Sequence, residues 1–220
     1  MTIGMILLMI TAILILLGVG QRVLDRMRLN DRAALIFIGL IIILGFVPDV
    51  RLTDNFAFNL GGAAVPLALC IYLFIKAGSA WEKWRCILSS LATGAAIFAI
   101  GMFSPDEPES ITVDPIILYG LAAGLIAYLF GRSRRCAFFA GVIGMMLSNT
   151  ANAVYVWSKG VDQDFILGGA GAFDGIIVAG LVGVLLAEIL GEIIERMKRG
   201  TKRPTRIFRN GEFVKEEEAR

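Results

Sequence analysis

The chain contains no histidine, which removes the commonest metal ligand and the side chain that usually moves protons near neutral pH. Cysteine is nearly as scarce. Cys70, Cys86 and Cys136 are far apart and form no CxxC pair, so neither a zinc site nor a disulfide framework is expected, and each reads as a small apolar packing residue. Charged residues make up only 18% of the chain against 57% hydrophobic, where a soluble domain carries about a quarter charged. The net charge is +2, which gives no reason to expect a nucleic-acid partner. No motif implies a cofactor or a metal.

What the sequence has instead is apolar blocks, mostly near the ~20 residues that carry a helix across a bilayer core. They run over about 1–20, 33–47, 57–75, 86–103, 116–131, 136–157 and 165–190. The first has its positive charges after it, in QRVLDRMRLNDR, the order of an uncleaved anchor; a signal peptide has a basic start. Trp81 and Trp84 suit a membrane–water boundary. With the N-terminus outside, the inner loops and tail hold all but two of the 21 Lys and Arg; Arg51 and Lys159 lie outside. That asymmetry sets topology. The expected fold class is therefore an all-α membrane protein of about seven transmembrane helices in the cell membrane. Residues 1–199 form the membrane domain, and 200–220 are a cytoplasmic tail. In the tail, Asn210-Gly211 separates two short alternating runs and fits a type I′ turn, which offers a small hairpin; the alternative is a frayed, solvated tail.

Phe58–Ala63 (FNLGGA) and Phe165–Ala170 (FILGGA) agree at five of six positions. Each opens a block predicted to run inward, which fits a parallel 3+1+3 repeat of the kind some small transporters use.

The second of these segments leads to Asp174, a carboxylate in a glycine-rich apolar run. Ionisable groups in such a setting are functional hypotheses by default. Counted at the helical rise from Phe165, Asp174 lies about 14 Å from the outer boundary. Asn149 and Pro66 fall at similar depths. Ser148, Asn149 and Asn152 share one face of the sixth block by their i, i+3 and i+4 spacing, and they offer oxygen ligands that suit a proton or hard cation at Asp174. Gly171 and Gly175 form a GxxxG around Asp174 that would admit a close helix. Gly61, Gly62 and Pro66 would loosen the third block and free carbonyls toward a cavity. A structural alternative has Asp174 merely hydrogen-bonding the last two helices together.

QRVLDRMRLNDR, NLGGAAVPL and GGAGAFDGI are similar to an uncharacterised prokaryotic multi-pass membrane family, a domain of unknown function, over most of the chain to about residue 200. The resemblance implies no activity and no site residues. GAGAFDG also invites comparison with the GxGD motif of intramembrane aspartyl proteases. Here Ala172 follows Gly171, Asp174 comes two residues late, a PAL motif is missing, and acid and base roles need paired carboxylates. The expected function is a small solute or ion transporter with Asp174 as its coupling group and no enzymatic activity. Its partners would be the lipid bilayer and a small solute, proton or cation. The alternatives are a non-transporting scaffold or sensor acting through the tail and, last, a protease. Nothing in the sequence fixes the oligomeric state.

Overall fold

The computed structural model describes residues 6, 9–13, 27, 29, 31–103, 115–131, 133–171, 174–199, 206–209 and 212–215. Residues 9–13 are helical; the rest of the first expected helix lies largely outside the described residues. Next come helix α1 (Asp31–Gly45), strands β1 (Val50–Thr53) and β2 (Phe56–Phe58), and a π-helical turn (Leu60–Ala64) that runs into α2 (Val65–Ile75). Helices α3 (Ala80–Phe103), α4 (Pro115–Gly131) and α5 (Arg134–Ser158), strand β3 (Phe165–Leu167) and helix α6 (Gly175–Arg199) follow. Two compact units divide the chain, Met1–Glu188 and Ile189–Arg220. The second contains β4 (Arg206–Arg209) and β5 (Glu212–Lys215), paired antiparallel with Arg209 opposite Glu212, so the strands flank Asn210-Gly211 as the turn chemistry predicts.

Helices dominate, and three of them, Ala80–Phe103, Arg134–Ser158 and Gly175–Ile194, are long and apolar enough to cross a bilayer. The all-helical expectation misses a three-stranded sheet in the order β1-β2-β3. β1 and β2 form an antiparallel hairpin, and β2 lies parallel to β3 with Phe56 opposite Phe165. The third and seventh apolar blocks therefore do not begin as helices. Each begins as a strand, because Phe-x-Phe and Phe-x-Leu stretches ahead of glycines suit a pleated surface better than a helical turn.

Helix starts follow local capping. α3 begins six residues before its apolar block, because Ser79 and Glu82 make a capping box. The Glu82 N–H donates to Ser79 Oγ at 3.2 Å, and the Gly78 N–H donates to Glu82 Oε2 at 3.2 Å. At the head of α5, Ser133 accepts from the Cys136 N–H. Pro66 occupies the first turn of α2, where its missing N–H costs nothing.

Small residues set the helix packing. A Cβ built on Gly94 would lie 3.0 Å from the Gly144 carbonyl oxygen, and one on Gly144 would lie 2.7 Å from Thr93 Cβ, so α3 and α5 nearly touch backbone to backbone. The same two helices are joined by a disulfide, Cys86–Cys136. This corrects the expectation of isolated cysteines: the spacing rule sees only local pairs, and two helices packed side by side bring together residues 50 apart. Nearby, Arg135 pairs with Glu82 at 3.3 Å and donates to the Lys76 carbonyl at 2.9 Å, and Arg134 pairs with Glu188. We call this the basic end of the bundle.

Candidate functional site

The two sequence segments that look alike meet in space. The Phe165 N–H donates to the Asn55 carbonyl and the Asn59 N–H to the Leu167 carbonyl, both at 2.9 Å, which stitches β2 to β3. Beyond the strands the backbones cross with no side chain between them. A Cβ on Gly62 would sit 2.1 Å from the Gly168 oxygen, and one on Gly61 2.2 Å from the Gly45 nitrogen. Gly168 and Gly171 adopt φ of +72° and +58°, a region L side chains disfavour, and a Cβ on Gly171 would lie 2.9 Å from the Gly45 oxygen. Glycine is thus required by close approach at Gly61 and Gly62, and by close approach and conformation together at Gly168 and Gly171.

Each strand hands over to a helix through a side-chain cap. Asn59, 3% exposed, accepts from the Gly62 N–H at 2.9 Å and donates to Asp49 Oδ1 at 2.8 Å. Asp174 caps α6: its Oδ1 accepts from the Ile176 N–H at 2.9 Å, its Oδ2 lies 3.4 Å from the Ala170 nitrogen, and its carbonyl accepts from Ile177 at 3.1 Å. The helix begins at Gly175, so Asp174 lies at its mouth and not within it, and Gly171 and Gly175 form no helical GxxxG. Gly171 contacts α1 from a turn.

The depth of Asp174 follows from how α6 packs. A Cβ on Gly141 would lie 2.6 Å from the Ala179 oxygen, and one on Gly183 2.8 Å from the Ala137 oxygen, which makes α5 and α6 antiparallel. Extending that pairing to Asp174 brings it level with about Met146, the middle of α5. Phe165 lies by the end of α5, where it meets Trp157 edge to face at 6.4 Å, and Asp174 lies level with the midpoint of α5. The sheet and the two caps give backbone groups of this region internal partners.

The remaining expected residues divide. Ala137, Gly141, Met145, Ser148 and Asn152 lie along one helical stripe, so the stripe that packs on α6 runs on past its first turn. Ser148 is buried, Asn149 half-buried and Asn152 exposed; Asn152 lines a surface hollow with Trp157, Gln163 and Phe165. No hydrogen bond among the described residues joins these three to Asp174. Gly61 and Gly62 fall in the π-helical turn, and Pro66 is buried one turn further on. Sequence reasoning missed Asn59 and Asp49. The signal for Asn59 was present, because Asn directly before Leu-Gly-Gly reads as a helix cap. Chemically, two N–H donors leave free lone pairs on an ionised Asp174 carboxylate, so it retains capacity for a proton or a cation.

No curated protein and no solved structure matches this chain. A family model, DUF1614, described as a protein of unknown function, matches residues 5–186, and the chain belongs to that family.

Proposed function

We propose that this protein is a small membrane transporter whose working site is the crossing of its two strand-to-helix junctions, with Asp174 as the group that takes up a proton or cation. The observation that carries this reading is the placement of Asp174. It is the only carboxylate at a helix mouth level with the middle of α5 among the described residues, where two chain segments leave helical form side by side. Transporters use non-helical backbone at helix mouths to present backbone groups to solutes inside the bilayer. Ser148 and Asn152, on the stripe leading down to α6, would guide the solute. The parallel pairing of β2 with β3, each feeding a helix, supports a parallel 3+1+3 repeat, and the charge asymmetry supports a cytoplasmic basic end in the cell membrane.

The test is solid-supported-membrane electrometry on proteoliposomes, with concentration jumps in H⁺, Na⁺ and K⁺ and in a panel of amino acids, carboxylates and sugars. At least one jump is expected to give a transient current in the wild type, and that current should vanish in Asp174→Asn. Asparagine retains the cap, so the variant should still fold. If the wild type gives no current above protein-free liposomes, or if Asp174→Asn gives an equal current, the transport reading fails. The close glycine packing and the satisfied cap favour a second reading, a non-transporting scaffold acting through residues 200–220, and that reading would then stand.

A further inference from the structure

We propose that Cys86 and Cys136 form a reversible dithiol–disulfide site that exchanges with the low-molecular-weight thiols of the cytoplasm. The inference rests on the cytoplasmic placement of the basic end. The two cysteines have Cα atoms 4.8 Å apart, within the range a disulfide spans without moving the backbone. They sit at the end that carries Lys76, Lys83, Arg85, Arg134 and Arg135, which the charge rule assigns to the cytoplasm. Cytoplasmic thiol pools keep ordinary protein thiols reduced. A pair that closes readily in that compartment is therefore set by the redox state around it.

The surroundings suit exchange. Cys136 lies in the first turn of α5 behind the Ser133 cap, and a thiolate at a helix N-terminus beside cations is the nucleophilic form. Both sulfurs are buried, under a clamp of Arg135 on Glu82 at 3.3 Å and on the Lys76 carbonyl at 2.9 Å. Exchange therefore requires that clamp to open. The packing of Gly94 on Gly144 lies two turns deeper and does not depend on the bond, so both redox forms keep α3 against α5.

In the oxidising direction, one cysteine thiolate attacks a disulfide R–S–S–R, forms a mixed disulfide and releases R–S⁻. The second thiolate then attacks the protein sulfur of that mixed disulfide and releases the other R–S⁻. The two protons lost by the protein thiols end on the two R–S⁻ groups. The protein pair is oxidised and one R–S–S–R is reduced to two R–SH.

The test is acid trapping of cells that produce the full chain, followed by denaturation and alkylation with a high-mass maleimide, so that each free thiol adds one step on a gel. Resting cells should show three free thiols. Diamide, which converts the cellular thiol pool to its disulfide, should leave one, Cys70, and dithiothreitol should restore three. Cys86→Ser and Cys136→Ser should each show two free thiols in resting cells; after diamide neither can close the internal bond, and the variant that keeps the attacking cysteine should hold it as the mixed disulfide with the small thiol, seen as one free thiol and the added mass of that thiol. Glu82→Gln, which loosens the clamp, should speed reduction by dithiothreitol about threefold, as loss of a partly exposed ion pair implies. One free thiol in resting cells would mean a permanent staple, and three after diamide would mean no closure; either overturns the proposal. The trapping reads redox state alone, so its failure is separable from an absence of transport currents.

Discussion

At the scale of single residues, the glycines divide by what surrounds them. Gly62 faces the Gly168 carbonyl, where an added Cβ would lie at 2.1 Å from a backbone atom that cannot swing aside. Gly39, in the middle of α1, has nothing within 4 Å of such an atom. Gly62→Ala is therefore expected to destabilise the protein by about 3 kcal/mol or more. Gly39→Ala should stabilise it by about 0.5–1 kcal/mol, because alanine is the better helix former. Thermal unfolding of the two variants in the same detergent, followed by circular dichroism, checks the opposite signs; equal melting temperatures would remove the glycine crossing as a structural requirement. The sequence shows both glycines in apolar runs, but it does not show which one has another backbone against it. That depends on a partner more than 100 residues away.

At the scale of elements, the strand-to-helix junctions matter most, and the first is held by Asn59. Its side chain satisfies the Gly62 N–H and ties the π-helical turn to Asp49 at once. Asn59→Ala would leave a buried N–H without a partner and release Asp49, a loss of about 1–3 kcal/mol. Asn59→Asp would place a carboxylate against the Asp49 carboxylate and should be worse at neutral pH than at pH 4, where protonation relieves the repulsion. Melting temperatures of both variants at the two pH values test this, and an Asn59→Asp deficit that does not shrink at pH 4 would remove the carboxylate contact from the account. Every described helix of the bundle overlaps an expected apolar block, and three of the six, α1, α4 and α5, begin and end within about two residues of expectation. The strands were not, because three residues are too few for alternation to register and because a strand ending in glycines looks like the frayed start of a helix. Asp174 was picked out by its charge in an apolar run. Its role as the cap of α6 is not legible in the sequence, because the apolar run around it reads as continuous helix. Because the run before Asp174 begins as strand, helical rise does not set its depth, and the middle level of Asp174 rests on the pairing of Gly141 with Ala179 and of Gly183 with Ala137.

At the scale of the whole molecule, the proposed site and the proposed redox pair both depend on which end faces the cytoplasm. Two features bear on this from opposite directions. Lys and Arg crowd one end, and a charge asymmetry of this kind directs that end inward. The Cys86–Cys136 disulfide lies at the same end, and a permanent disulfide is a mark of an oxidising compartment. The charge argument is the stronger, because translocating the short loops at 76–85 and 132–135 would carry six cations across the bilayer, whereas a cysteine pair can simply exist in either redox form. Single cysteines placed in a cysteine-free background decide the matter. With the basic end inside, Pro108→Cys should react with a membrane-impermeant maleimide in intact cells. Ser133→Cys should react only after the membrane is permeabilised. Ser133 is the α5 cap, and cysteine there weakens the cap by about 1 kcal/mol without moving the position across the membrane. The reverse pattern, labelling at 133 and not at 108, would invert the molecule, place the disulfide in an oxidising compartment as a fixed staple, and put the strand-to-helix junctions at the cytoplasmic side.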